Sequence, residues 1–350
     1  MVSTSDYTSN VTEYTFPVDR PLKVGFGTGT TKVILDSVRH SSSSSSSTST
    51  STSTTTTTAT SSSNNSELSP NVATVRVQLS GENEASVKEF VPKVTHDDSR
   101  SELVYNKANS GWFNTNWFGG KTVRANVEIY LPEANVTPVT ELELNIVNGS
   151  IGVNSATPVT EPKTGPLANV AFGNLKVNTV NGSTTLPGIT VDALEVNCVN
   201  GSTSLEGVTA RSANINTVNG DVTSSFSGIK DLKITTLNGH ITNRFLSTAT
   251  AASAAAATSG QSVLSKYRFN TKNGGCSIGV SKHFEGTFNF STHNGGIILP
   301  SSTQRIQLSG SVDKKNERRG MILAEGEKHA GSSGSIKAES WNGALNLFFF

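Results

Sequence analysis

"LKVNTVNGSTTLPGITVDA" fills residues 175–193, and "LEVNCVNGSTSLEGVTARS" fills 194–212 directly after it. Two nearly identical lines with no gap are an internal repeat, and a repeat outranks any local reading of the chain. The mark of each copy is an Asn-Gly pair. These pairs are Asn148-Gly149, Asn181-Gly182, Asn200-Gly201, Asn219-Gly220, Asn238-Gly239, Asn273-Gly274, Asn294-Gly295 and Asn342-Gly343, and from Asn181 to Asn238 they fall nineteen residues apart.

Aligned on this pair, the copies run from "LELNIVNG" through "LKVNTVNG" and "LEVNCVNG" to "IKAESWNG". The first column is Leu142, Leu175, Leu194, Ala213, Leu232, Tyr267, Phe288 and Ile336. The third is Leu144, Val177, Val196, Ile215, Ile234, Phe269, Phe290 and Ala338. Both are apolar, and columns two and four are polar or charged, which is strand alternation with one face toward a core. A second short strand follows the pair, with Ile151, Val222, Ile241, Ile297 and Leu345 as its first apolar column. A further turn, such as Pro187-Gly188, then leads to a third stretch, "ITV" at 189–191 or "VTA" at 208–210.

One copy has too little apolar surface to fold alone, whereas stacked copies share one continuous core. The fold class expected is therefore all-β: a parallel β-solenoid of about eight coils of ~19 residues, stacked at the strand spacing of about 4.8 Å. Each coil templates the next. The Asn column then forms a ladder of side-chain amides, and the Gly column supplies positive φ at the corner. In column four Asn145, Asn178, Asn197, Asn216 and Asn270 form a possible second ladder, and in column two Lys176 sits beside Glu195. The rival reading is local. Asn-Gly between alternating strands is also a strong hairpin signal, so the copies could instead build an antiparallel meander or part of a propeller.

Column six fits the alternation poorly. It reads Val147, Val180, Val199, Val218, Leu237, Lys272, His293 and Trp341. The favoured expectation is that the strand bends before the corner and tucks this column inward. The alternative is an exposed apolar stripe that serves as a partner surface or docks residues 1–40.

The rest of the chain divides around the repeat. Residues 1–40 form a weakly structured N-terminal segment, and 41–70 form a Ser/Thr-rich linker that is expected to be disordered. Residues 71–140 form a β-rich cap region, since "TVRVQLS" and "TVRANVEIYLP" alternate. The repeat domain is 141–350, with loop insertions near 248–262 and 313–334. Between the cap strands, Trp112, Phe113, Trp117 and Phe118 sit beside glycines. They read as a core plug or end cap, or alternatively as a stacking platform for a sugar or protein partner.

The repeated "VNTVNG" line, followed by Ser or Asp and Thr two positions on, resembles the putative-adhesin family of repeat β-solenoids. Its members carry a domain of unknown function and occur in bacteria and fungi. The resemblance spans roughly 140–350 and is strongest over 175–245. It implies a parallel β-helix or β-roll and an adhesive or envelope-related role, and it implies no catalytic residues.

The formal net charge is +1, so no global basic field invites nucleic acid or an anionic membrane. No apolar run reaches the length of a transmembrane helix. The start "MVSTSDYTSNVTEYTFPVDR" shows no signal peptide, so a cytoplasmic location is the default and unconventional export to the cell surface the alternative.

Little in the sequence suggests chemistry. Asp192, Asp221 and Asp231 fall at different columns, and Glu195 and Glu206 are isolated, so no paired carboxylates mark a polysaccharide-acting β-helix enzyme. His96 with Asp97 and Asp98 is a compact cluster, but three adjacent loop residues converge poorly on one ion. Gly25, Gly27 and Gly29 lack the Lys-Ser/Thr ending of a phosphate loop. Lys314, Lys315, Arg318 and Arg319 read as a solvated loop, and Cys198 as a small corner residue. Asn-x-Ser/Thr triplets are glycan acceptors only if the chain is exported.

The expectation is a non-enzymatic, adhesin-like binding or scaffold protein without cofactor or metal. Its partner is an unidentified protein or glycan. The alternatives are a polysaccharide-acting enzyme and an intracellular structural module.

Overall fold

The computed structural model describes residues 7–27, 30–37, 71–107, 123–132, 138–153, 170–246, 265–281, 283–301, 305–309, 316–323 and 333–350. The Ser/Thr linker, the aromatic cluster at 112–118 and the insertion near 248–262 lie outside them. Among the described residues the chain is all-β, with helix confined to the single turn Glu84–Lys88.

The copies pair in parallel, not as hairpins. Ala171–Asn181 pairs with Thr190–Asn200 in the register Leu175↔Leu194, Val177↔Val196, Asn181↔Asn200. Thr190–Asn200 pairs with Thr203–Asn219 in the same frame, and that strand pairs with Asp231–Asn238. An antiparallel meander is thereby excluded. The second strands form their own parallel ladder, with Val222↔Ile241 and Ile241↔Cys276. The third stretch is the start of the next copy's first strand, where Val191 pairs with Ala210.

The core lies between the two ladders. Columns one and three are buried from Leu142 to Ala338, together with Ile151, Leu186, Leu205, Val222 and Ile278 of the second strands. Toward the C-terminal half, larger rings fill the same space. Phe245 lies 4.1 Å from Tyr267 between ring centroids, and Phe284 packs on both.

The stacking order is not the order of the sequence. The last copy, Ser333–Ser340 with Leu345–Phe349, slots between Ser265–Asn273 and Glu285–Thr292. At the other end, Leu22–Phe26 slots between Ser101–Lys107 and Val139–Val153, and Thr30–Ser37 between Arg124–Leu131 and Val139–Val153. The N-terminal segment is thus a coil of the stack and not weakly structured over its described residues. Val24, Phe26, Val33 and Leu35 are buried, and pairs such as Val24↔Leu144 and Val33↔Ile151 continue the repeat columns. The reason is physical: a copy accepts as neighbour any strand with matching inward columns, whatever its place in the chain.

Antiparallel strands cover both ladders at the N-terminal end and the first ladder at the C-terminal end. Phe90–His96 covers Ser101–Lys107, and Val72–Gly81 with Thr12–Pro17 covers Arg124–Leu131. Glu317–Ile322 covers Glu285–Thr292. Arg318 and Arg319, expected in a loop, lie on that strand opposite Phe290 and Asn289. Such covering strands hide the open hydrogen-bonding edge of the parallel stack.

Candidate binding face

The Asn-Gly corner is built from columns five, seven and eight. The Asn amides form one unbroken ladder that starts at Asn148, each later Nδ2 donating to the Oδ1 of the Asn before it in the stack at 2.7–2.9 Å. Its order is Asn148, Asn181, Asn200, Asn219, Asn238, Asn273, Asn342, Asn294, which repeats the interleaving of the last copy. The glycines differ from expectation in their reason. Gly201 has φ 152°, but positive φ is not common to the column. The shared requirement is close approach. A Cβ at Gly201 would overlap the carbonyl oxygen of Gly182, and the same overlap recurs from Gly149 to Gly343.

Column five completes the corner and was missed as a functional column in the sequence. Thr217 Oγ1 donates to the Gly220 carbonyl at 3.1 Å, Thr271 Oγ1 to Gly239 at 3.2 Å and Ser340 Oγ to Gly274 at 3.0 Å. Cys198 takes the same seat, with its Sγ 3.2 Å from the Gly201 carbonyl. The available signal was chemical. Apart from Ile146, this buried column holds only Thr, Ser or Cys, residues that donate a short hydrogen bond.

Because column five is the inward seat, column six points out. The expected inward bend does not occur. Val180, Val199, Val218 and Leu237 are 37–41% exposed, and Trp341 is 52% exposed. Nor do the described residues of this N-terminal segment dock along the stripe, because their strands belong to the stack.

Beside the stripe runs the second amide ladder: Asn178 donates to Asn145, Asn197 to Asn178 and Asn216 to Asn197, at 2.7–3.0 Å. Glu195 Oε1 also accepts from Asn197 Nδ2 at 2.8 Å, while Lys176 lies 3.8 Å from Glu195 in an exposed pair. Between the two columns lies a groove of about 440 Å³, floored by Asn and Val side chains and closed at its N-terminal end by Phe26, Val104 and the Lys23–Glu102 ion pair. The second ladder stops at Thr235, which stands where an Asn would link Asn216 to Asn270.

The other candidate residues have local roles. Asp97 Oδ1 accepts from Ser99 N, Ser99 Oγ and Arg100 N, closing the turn between cap strands. These bonds hold its carboxyl well below the usual value, at about 2. His96 Nδ1 lies 2.9 Å from Ser101 Oγ. Gly25 is a strand residue between Val104 and Asn145, and Gly27 N donates to Tyr105 O, so both glycines are engaged in strand pairing. Asp192 holds Arg211 by two bonds of 2.6 Å on the surface. Cys276 is buried, which pushes its thiol up. Among the described residues, no group of three or more His, Cys, Asp and Glu side chains gathers as metal ligands, and no helix is long and apolar enough to cross a membrane.

These features first define a class: an all-β protein of stacked parallel strands with ordered side-chain columns on its outer face. Within that class, the chain belongs to the Toastrack DUF4097 family, whose model matches residues 48–317. No curated protein matches the chain. Among solved structures it is similar to a putative adhesin from Bacteroides fragilis, at 9% identity and a TM-score of 0.41 over 97% of each chain. It is also similar to a putative adhesin from Parabacteroides distasonis, at 8% identity and a TM-score of 0.37 over 97% of each chain. A putative cell adhesion protein from Clostridium sporogenes matches at 12% identity and a TM-score of 0.26, over 97% of this chain and 100% of that one.

Proposed function

We propose that the chain is a non-enzymatic, adhesin-like binding or scaffold protein. In this reading it is a β-solenoid of about eight coils, one for each Asn-Gly pair, with a β-rich N-terminal cap. It meets its partner through the outer face of columns four and six, and an adhesive role places it at the cell surface.

The observation that carries this reading is the exposed valine column beside a hydrogen-bonded amide ladder, on a backbone fixed by parallel pairing on both sides. A contiguous apolar stripe with a polar margin is a feature of interaction surfaces. Several carboxylates near this face are already paired, as Glu195 is with Asn197 and Glu339 with Lys337, which supports binding over acid–base chemistry.

The test uses the full chain and a variant carrying Val180→Lys, Val199→Lys and Val218→Lys. Both are screened against immobilised matrix proteins and cell-wall polysaccharides, with a thermal melt to confirm folding and a reducing-sugar assay alongside. The reading expects binding by the native chain, loss of about tenfold or more in the variant, and no sugar release. Equal binding by both proteins contradicts the proposed face, and release of reducing ends contradicts the non-enzymatic assignment. Protease shaving of intact cells tests the location, and a chain untouched by the protease argues against a surface role.

A further inference from the structure

The outer face changes character where the second amide ladder stops. In stacking order, column six continues from Leu237 through Lys272 to Trp341 and His293, and column four from Thr235 through Asn270 to Glu339. Between them lies a second groove of about 600 Å³. Its polar and aromatic groups are arranged differently from those of the valine groove.

One face of the Trp341 indole is taken. The His293 ring stacks on it, with centroids 4.2 Å apart and planes 19° apart. The indole nevertheless stays 52% exposed, and among the described residues no other ring or cation covers it. A stack on one side fixes the orientation of the ring at little further entropic cost, which preorganises the remaining surface for a ligand.

Among the described residues one hydrogen-bonding side chain beside it is unspent. Asn145, Asn178, Asn197 and Asn216 are consumed by their own ladder. Asn270 is not, because Thr235 interrupts the column. Its amide therefore presents two donors and an acceptor to the groove. Glu339 lies directly beyond Asn270 in the column, and its carboxylate is neutralised by Lys337 at 2.7 Å. Lys272 supplies a single cation. The site therefore offers an aromatic surface, a free amide and little net charge.

From this geometry we infer that the groove between Asn270 and Trp341 is a binding site for a neutral glycan, rests a pyranose ring on the indole and bonds its hydroxyls to the Asn270 amide. The chemistry selects the ligand. Pyranose C–H groups form an apolar patch that packs on an aromatic ring, and the surrounding hydroxyls need neutral donors and acceptors. A phosphorylated or nucleic-acid ligand would want a basic cluster, and Lys272 is the single lysine or arginine among the residues that line this groove; Lys233 and Arg268, further along the face, line a different one. An extended peptide would want a free strand edge, but the strands beneath the groove are paired on both sides. The inference rests on the binding reading above and gives it a ligand class at one end of the face.

The experiment titrates the full chain with neutral hexasaccharides of β-1,4-glucose, β-1,3-glucose, α-mannose and β-1,4-N-acetylglucosamine, following calorimetry and tryptophan fluorescence. Trp341→Ala should weaken binding of the preferred sugar by about tenfold or more, the equivalent of one stacking contact, and abolish its fluorescence change. Trp341→Phe should keep part of the affinity. Asn270→Ala should weaken binding severalfold with an unchanged melting temperature. If no hexasaccharide binds while the native chain binds a protein through the valine groove, the glycan site is overturned and the binding reading stands. If a sugar binds equally well to Trp341→Ala, the site is overturned. If the native chain binds neither sugars nor proteins, both fail.

Discussion

The middle of the stack and its two ends follow the same column rules and solve different problems. From 170 to 246 the copies follow one another in sequence, and the two ladders are parallel throughout. The core there is mostly aliphatic, and outside it the corner amide ladder runs the whole length while the second ladder reaches Asn216. At the ends the order is shuffled, antiparallel strands cover most of the open edges, and Tyr267 and Phe284 pack with Phe245 from the last regular copy. A strict repeat makes a good interior and a poor end, because every regular coil leaves an open edge. This chain closes its edges with irregular sequence and inserts strands from both termini into the stack.

That comparison is open to attack at four points. The largest effect belongs to the corner glycines. Gly201→Val, in the middle, should destabilise the fold by more than about 4 kcal/mol, since backbone must move to admit the side chain. Gly343→Val, in the final copy, should be equally severe, because the carbonyl of Gly274 occupies the space a Cβ would need. A mild Gly343→Val beside a severe Gly201→Val, compared by denaturant unfolding, would mean that the last copy does not sit inside the stack.

The amide ladder sharpens the same contrast at a smaller scale. The Asn200 side chain has ladder partners on both sides, whereas among the described residues the Asn294 side chain bonds only Asn342. Asn200→Ala should cost about 1–2 kcal/mol and Asn294→Ala about half of that, from the partners each leaves unpaired. Equal losses in chemical denaturation would mean that Asn294 has a second partner.

Column five separates two chemically identical residues. Thr217 Oγ1 holds the Gly220 carbonyl, while Thr179 Oγ1 is buried with no partner. Thr217→Val should cost about 1 kcal/mol, and Thr179→Val should be neutral or slightly stabilising. Matched shifts in melting temperature would contradict the assignment of the corner bond.

The smallest effect is electrostatic and lies in the N-terminal cap. Three hydrogen bonds lower the Asp97 carboxyl from 3.8 to about 2. A depressed carboxylate stabilises the folded state above its unfolded value and ceases to do so as the pH falls through its folded value. The turn should therefore lose protection of the Ser99 and Arg100 amides between about pH 4 and pH 2, as read by hydrogen exchange. Asp97→Asn should remove that pH dependence while leaving the central coils unchanged.

The columns were legible because burial and pairing act on every copy at once. Leu175, Val177 and Asn181 announce their roles through their counterparts, and alternation alone identifies the inward face. The stacking order was not legible for the same reason. Matching columns make each copy a suitable neighbour for many others, and nothing in "IKAESWNG" says that it belongs beside "YRFNTKNG". The N-terminal coil lacks an Asn-Gly pair and so was invisible to the repeat.

Column six was misread because an outward valine looks like a folding error unless the surface has a use. The inward seat next to the corner is filled by the hydroxyl column, so column six has no room to tuck in. The glycines were assigned correctly as glycines on an incomplete argument, since close approach between coils is a tertiary fact and positive φ a local one. Within the binding face, Trp341 was aligned in its column next to His293 of the preceding copy, but only the interleaved order sets its strand beside Asn270 and Lys272.

The interleaving is the claim on which the ladder order, the end caps and the Trp341 site all depend. It is tested most directly by engineered disulfides in a background where Cys198 and Cys276 are replaced by serine. Arg268 and Lys337 are register partners, as are Lys337 and Asn289. Strand neighbours stand about 4.8 Å apart, within reach of a disulfide, whereas positions two strands apart stand at about 9.6 Å, beyond it. Oxidation should link Arg268→Cys with Lys337→Cys, and Lys337→Cys with Asn289→Cys, but leave Arg268→Cys with Asn289→Cys unlinked. A rapid bond between positions 268 and 289 would place those copies side by side, as the order of the sequence would have it, and would contradict the account.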